Sequence, residues 1–319
     1  MPQLAPLAFH NGEFVPVAAA VVPVTTQALQ YGTGVFEGIR AYVQDDGSLS
    51  LFRPGDHYRR FLASSLTLKI TVGRTVEELC DITAELLSRD AIAQDMYVRP
   101  LAYKQRLLPG TPPGVQLAGV SDALSISAFV MGSYTDKSGI RCALSTWCRP
   151  PDNVLPASAK ITGGYASIAM AVEDAREAGY TDVILMNTRG QVAEASTANV
   201  FAVSGGVLLT PPPSANLLEG ITRDTVLTLA RDAGSLPAAE TEIEPHDLLA
   251  ADEVFLTGTG AELVPVLEIG GQVIGTGHPG PVTRWLMSAY SDVVRGRQPR
   301  YRHWLLPVPH LAACRPGGD

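Results

Sequence analysis

Residues 194–223 read EASTANVFAVSGGVLLTPPPSANLLEGITR. The segment opens on a carboxylate among small residues, Glu194-Ala195-Ser196-Thr197-Ala198, and passes into short strand-like runs at Asn199 and Val207, separated by turn signals. It closes on Leu218-Glu219-Gly220-Ile221-Thr222-Arg223, where a helix begins near Thr222 and stops at Gly234. A glycine entering a helix leaves the N–H groups of Ile221 and Thr222 pointing along the axis. Together with the helix dipole they make an anion site suited to a phosphate. Thr222 is equally an ordinary N-cap, and Glu194 alone reads as a surface glutamate.

Upstream lies the residue that turns this pattern toward chemistry. Of the 24 lysines and arginines only four are lysines: Lys69, Lys104, Lys137 and Lys160. A Schiff-base enzyme needs one lysine whose amine can lose its proton near neutral pH. Lys160 sits among small residues, Pro156-Ala157-Ser158-Ala159-Lys160-Ile161-Thr162-Gly163-Gly164-Tyr165, just before a helix over 165–178 that ends at Gly179. Small neighbours leave room for a planar cofactor; the plain alternative is a solvated loop lysine. A protonated pyridine nitrogen makes such a cofactor an electron sink, and Glu194, at a strand end, is the carboxylate to hold that proton. Downstream, Thr257-Gly258-Thr259-Gly260-Ala261-Glu262 is a second small-residue turn, fit for a phosphate, a carboxylate or only a tight bend.

The N-terminal part reads differently. Asn11-Gly12 marks a hairpin within 7–17, and glycines 32, 34 and 38 punctuate a strand-like run over 35–42. Helices are expected over 54–68 and from Thr75, where Glu78 completes a capping box, followed by strands over 96–103 and 123–130. This order suggests an α+β domain. The small polar residues 132–139 are the expected interdomain linker, with a small domain over 1–131 before it and a larger one over 140–319 after it. The larger domain carries further hairpin signal at Ile269-Gly270-Gly271-Gln272 and a last helix over 281–294, then an extended tail that frays after about Arg315.

At 319 residues, 46% hydrophobic and 18% charged, the chain has the composition of an ordinary soluble globular protein. No run of ~18 apolar residues would span a membrane, and no secretory leader is visible. The net charge of −8 is scattered, which argues against nucleic acid as a partner; the basic run from Arg295 to Arg302 reads as a solvated helix end and tail. Cys80, Cys142, Cys148 and Cys314 have neither metal-ligand nor disulfide spacing. They read as small buried or free thiols in a reducing cytoplasm, and no metal is expected.

These motifs together resemble the class-IV aminotransferases, the fold type IV pyridoxal-phosphate enzymes, whose signature runs from Glu194 through Asn199-Val200-Phe201 and Leu208-Leu209-Thr210 to Arg223. The resemblance narrows to branched-chain-amino-acid aminotransferases at Tyr31-Gly32-Thr33-Gly34-Val35-Phe36-Glu37-Gly38-Ile39-Arg40, at His57 with Arg60, at Tyr97-Val98-Arg99-Pro100, and at Trp304-Leu305. It implies a small N-terminal α/β-sandwich domain and a larger C-terminal pseudo-barrel domain. It also implies that Lys160 holds pyridoxal 5′-phosphate and shuttles a proton, that Glu194 meets the pyridine nitrogen, and that Tyr165 meets the ring oxygen. Phosphate would fall to Arg60, to the amides of Ile221 and Thr222, and to Thr259. Tyr97 with the Thr259–Gly260 backbone would take the substrate α-carboxylate, while Arg99 with Tyr31 and Tyr134 would take the distal carboxylate of glutamate and Phe36 would line the apolar side. Without the resemblance, Arg99 reads as an ion-pair partner, and Tyr31, Tyr134 and Phe36 as core aromatics. The implied reaction is ping-pong transamination between an L-branched-chain or related apolar amino acid and 2-oxoglutarate through the pyridoxamine form, in a cytoplasmic homodimer or dimer-based oligomer.

Two positions depart from the family pattern. Met131 stands where branched-chain enzymes often carry tryptophan, and Gly164 where many relatives have asparagine. Both bear on side-chain preference and leave room for a specialised biosynthetic transaminase. Within the fold the rivals are D-amino-acid aminotransferase, (R)-amine transaminase and aminodeoxychorismate lyase, against which Tyr97-X-Arg99 favours the L-branched-chain reading. A non-catalytic binding protein is the alternative outside enzymology.

Overall fold

The computed structural model describes residues 3–132 and 136–309, so Tyr134 and Cys314 lie outside the described residues. The chain divides into two units, Met1–Gly132 with Val293–Asp319, and Ser133–Asp292. The first comprises β1 (Leu4–His10), β2 (Glu13–Pro16), α1 (Gln27–Tyr31), β3 (Gly34–Phe36), β4 (Ile39–Val43), β5 (Leu49–Phe52), α2 (Pro54–Thr67), α3 (Val76–Asp90), β6 (Met96–Leu107) and β7 (Val120–Val130). The second comprises β8 (Ile140–Cys148), α4 (Tyr165–Glu177), β9 (Asp182–Met186), β10 (Val192–Ala195), β11 (Asn199–Ser204), β12 (Val207–Thr210), α5 (Ile221–Ala233), β13 (Ala238–Glu240), α6 (Pro245–Leu249), β14 (Glu253–Gly258), β15 (Glu262–Ile269), β16 (Gln272–Val273) and α7 (Pro281–Val294), whose last turn passes into the first unit. A final strand, β17 (Leu305–Pro307), follows. Helices and two separate sheets make an α+β chain.

In the first unit the sheet runs β17-β5-β4-β6-β7-β1-β2, with β3 also on β6. The β1–β2 turn is Asn11-Gly12, both at positive φ, as a two-residue hairpin demands. Thr75 and Glu78 form the reciprocal capping box that the sequence announces. Tyr58 and Phe61 of α2 and Leu79 and Leu86 of α3 are fully buried, as are Leu51, Met96, Val98 and Ile126 of the sheet. At ~1.5–3 kcal/mol for each large side chain removed from water, such residues supply the main term holding this unit together.

Three expectations need correction. The run 35–42 is not one strand. Val35 and Phe36 pair with Ala102 and Leu101, Ile39 and Arg40 with Val98 and Tyr97, and the gap at Glu37–Gly38 lies beside Arg99–Pro100. Pro100 has no N–H to continue a ladder, so only its carbonyl is used, by Glu37 N at 3.0 Å. Next, residues 293 onward belong with the first unit rather than with a C-terminal domain reaching 319, because Leu305–Pro307 pair with Ser50–Phe52 and Trp304 meets Phe52 edge-on. Finally, the basic run is not simply solvated. Arg295 forms two hydrogen bonds to Asp95 at 2.7 and 2.6 Å and a third to Val43 O, and Arg297 pairs with Asp45.

The second unit is a mixed sheet, β10-β9-β8-β15-β14-β11-β12-β13 with β16 on β15. Strands β8–β9, β8–β15 and β12–β13 pair in parallel and the others antiparallel. Val200 and Ala202 of β11, Leu256 of β14 and Val264 and Val266 of β15 lie in one buried cluster. Helix α4 packs Ile168, Ala171 and Ala175 on Val183 and Leu185 of β9. Cys80 and Cys142 are buried and Cys148 is exposed. Among the described residues no helix is long and apolar enough to cross a membrane.

Candidate active site

In the second unit Lys160 lies five residues before Tyr165, the first residue of α4, with a 3-10 turn between them. That turn brings the two side chains together: Lys160 Nζ donates to the Tyr165 phenolic oxygen at 2.7 Å. Glu194, near the end of β10, is buried rather than a surface residue. Its Oε1 receives Arg149 Nε at 3.0 Å and its Oε2 the Leu218 amide at 3.1 Å, with Asn199 Nδ2 at 3.5 Å. The Arg149 guanidinium offsets the cost of burying that negative charge. Asn199 also donates to Leu218 O at 2.8 Å, tying the start of β11 to the segment entering α5.

Helix α5 begins at Ile221 with Gly220 as N-cap and no side-chain cap, which places Thr222 inside the first turn, buried, rather than at the N-cap. A Cβ on Gly220 would meet Asn199 Oδ1 at 2.1 Å, so this close approach of backbone and amide requires glycine. The other small-residue turn, Thr259–Ala261, connects β14 to β15, whose closing pair is Gly258 and Glu262.

In the first unit the sequence candidates fall into two groups. Arg60 on α2 is bound to Glu37, Nε to Oε1 at 2.6 Å and Nη2 to Oε2 at 2.9 Å. His57, one turn earlier, places Nδ1 2.8 Å from the same Oε2, and Gly38 N donates to it at 3.3 Å. Burial alone would raise the Glu37 carboxyl, but the Arg60 guanidinium and the His57 hydrogen bond outweigh it and hold it far below the ordinary range. Burial also pushes the His57 imidazole down, opposed in part by Glu37. The second group is Phe36, Tyr97 and Arg99. The Arg99 guanidinium carbon lies 4.9 Å from the Phe36 ring centre and 5.1 Å from that of Tyr97, and its Nη2 donates to Tyr97 Oη at 3.2 Å. Arg99 Nε is buried without a hydrogen-bond partner, and no carboxylate among the described residues pairs with this cation. Tyr31 stands apart, half-exposed at the end of α1 with no hydrogen bond to Arg99.

Sequence reasoning missed Glu37, Arg149 and Asn199 as partners. Glu37 did leave a signal, a carboxylate between apolar Val35-Phe36 and Ile39. For Arg149, one of many arginines, there was none.

The model of the amino-transferase class IV family matches residues 34–269. The "Probable branched-chain-amino-acid aminotransferase" of Aquifex aeolicus (strain VF5) is 40% identical over 303 residues, covering 94% of this chain and 96% of that one. The crystal structure of the branched-chain aminotransferase of Thermoproteus uzoniensis with norvaline superposes with a TM-score of 0.90 at 38% identity, covering 95% of this chain and 99% of the other. That of the branched-chain amino acid aminotransferase of Thermobaculum terrenum in its PLP-form (holo-form) also gives 0.90, at 33% identity, over 96% and 99%. A lysine hydrogen-bonded to a tyrosine, a buried glutamate and a glycine-led helix start thus sit on a chain that belongs to the class IV aminotransferases.

Proposed function

We propose that this aminotransferase moves the amino group of L-branched-chain or related apolar amino acids to 2-oxoglutarate, with ping-pong kinetics, in the cytoplasm. Its cofactor is pyridoxal 5′-phosphate. When bound, this group supplies an aldehyde that condenses with amines and a ring that draws electrons from the substrate Cα. The residues of the second unit fit it: a lysine amine beside a phenol, a buried carboxylate for a ring N–H, and an uncapped helix start for a phosphate.

Lys160 Nζ is placed to take the proton from the substrate Cα and hold it for return. The Tyr165 hydroxyl orients that amine, and such a positioned base contributes ~10²–10⁴-fold. Glu194 accepts the hydrogen bond of the pyridine nitrogen, while Arg149 keeps the carboxylate fixed and balanced. Arg60, the amides of Ile221 and Thr222, and the Thr259 hydroxyl bind phosphate, combining fixed charge with oriented donors.

Tyr97 and the Thr259–Gly260 backbone take the α-carboxylate. Arg99 takes the distal carboxylate of glutamate with help from Tyr31 and Tyr134, and Phe36 lines the apolar side. The unmatched Arg99 Nε supports this assignment, since the cation lies on two ring faces and lacks a carboxylate. With leucine bound it keeps those rings; with glutamate it gains an anion. Exposed Val21, Val22, Val24 and Leu29 lie close in sequence to Tyr31, and we assign this apolar surface to a second copy of the chain in a homodimer or dimer-based oligomer.

The observation that carries the reading is the Lys160–Tyr165 hydrogen bond in the same unit as buried Glu194. The test is to mix holoenzyme separately with L-leucine, L-valine, L-glutamate, D-alanine and (R)-1-phenylethylamine and follow the cofactor absorbance. Conversion by the first three is expected. Conversion only by D-alanine or the amine would overturn the roles of Tyr97 and Arg99.

A further inference from the structure

The described part of the expected linker, residues 136–139, is built rather than slack. Asp136 Oδ1 accepts the Ser138 amide at 2.8 Å and its hydroxyl at 2.6 Å, and Gly139 N returns to Asp136 O at 3.3 Å. Gly139 has φ +129°, and a Cβ there would run into the Leu267 side chain, so the bend lies directly against β15. The bend presents Lys137.

Lys137 meets three acceptors on one short stretch of chain, two backbone carbonyls and one carboxylate. Its Nζ donates to Ala261 O at 2.7 Å and Leu263 O at 3.1 Å, and lies 3.0 Å from Glu262 Oε2. An ammonium offers three rotatable donors from one point, whereas a planar guanidinium fork does not fit three acceptors converging on a point. Glu262 itself holds φ +60°, a region that residues other than glycine, asparagine and aspartate seldom enter. The contacts made by Lys137 flank that residue on both sides and tie down its side chain. They fix the exit of the turn that carries Thr259 and Gly260.

We infer that Lys137 is a positioning residue for the substrate α-carboxylate, holding the 259–262 turn so that its backbone donors stay aimed at that anion. This rests on the reading of Thr259–Gly260 as the carboxylate site. Freed of Lys137, the exit of the turn can relax, and a donor displaced by a fraction of an ångström loses most of its value in orienting substrate.

The test compares L-leucine with 3-methylbutylamine, which has the same side chain and amine but no carboxylate, on cofactor-loaded wild type, Lys137→Met and Glu262→Gln. Lys137→Met is expected to lower kcat/KM for leucine about tenfold and leave the amine unchanged. Glu262→Gln, which keeps both carbonyl contacts, gives a smaller loss of the same kind and serves if Lys137→Met does not fold. Equal losses for leucine and the amine, or no loss for either, overturn the inference. Gly260→Pro, which removes one turn N–H, separates the two levels. If it leaves leucine unaffected, the carboxylate reading of the turn falls and the role of Lys137 with it. If it costs leucine while Lys137→Met does not, only the role of Lys137 falls.

Discussion

Glu37 in the first unit and Glu194 in the second are both buried carboxylates facing an arginine, yet their partners differ. Glu37 receives two guanidinium N–H groups of Arg60, the imidazole of His57 and the Gly38 amide. Glu194 meets the Arg149 guanidinium through Oε1, and its Oε2 takes neutral donors, the Leu218 amide and the Asn199 side chain. A carboxylate ringed by two fork donors and an imidazole acts as an anchor for the arginine it grips. One whose second oxygen takes neutral donors is fixed in place, which suits the proposed partner of a protonated ring. How the charge is answered, rather than burial itself, separates the two roles.

Replacing each glutamate by glutamine tests that contrast, with the larger stability effect expected at Glu37. In Glu37→Gln one amide oxygen faces the four N–H donors that the carboxylate accepts, and the new NH₂ is a fifth donor. Breaking such a buried pair costs about 3–5 kcal/mol, to be read as a lower denaturation midpoint in urea. Glu194→Gln keeps the oxygen that the Leu218 amide needs. Its NH₂ then faces the Arg149 donor, so it should cost about 3 kcal/mol of stability, the low end of the same range, while lowering kcat on the order of 10²-fold. If Glu194→Gln unfolds the chain as severely as Glu37→Gln and spares kcat in whatever stays folded, the contrast is wrong.

The same contrast explains what the sequence made legible. Glu194, Gly220 and Lys160 stand in local patterns whose spacing is set by one turn or one helix start, so each could be proposed from its neighbours. The Asn11-Gly12 hairpin and the Thr75 capping box were readable for the same reason. Partners brought from elsewhere were not. Arg149 reaches Glu194 from 45 positions away in sequence, and Lys137 reaches the 261–263 backbone across more than 120. The end of the second unit was misplaced because Leu305–Pro307, three residues with no hairpin turn, find their pairing partner in β5 some 250 residues earlier. The break at Glu37–Gly38 was within reach, since Pro100 sits in what the sequence already reads as a strand. What it required was knowing which strand lies opposite.

A third carboxylate sharpens the comparison by pairing with no cation among the described residues. Asp90 ends α3 with Oδ1 accepting the Leu7 amide at 3.0 Å and Oδ2 buried without a hydrogen-bond partner. Burial pushes its carboxyl up to about 6, and the Leu7 amide opposes this only in part. The sign of the linkage follows. Between the ordinary aspartate value and about 6 the folded chain holds a proton that the unfolded chain has released, so stability falls as pH rises through that window and stays lower above it. Asp90→Asn should therefore stabilise the first unit at pH 8 by about 1 kcal/mol, solvent screening having reduced the full linkage value. Near pH 4 it should have almost no effect. The asparagine oxygen can keep the Leu7 bond, so a gain confined to high pH measures the unanswered charge alone. Urea midpoints of the two proteins at pH 4 and pH 8 decide it: an equal shift at both would mean that packing, and not the missing cation, sets the behaviour of this carboxylate.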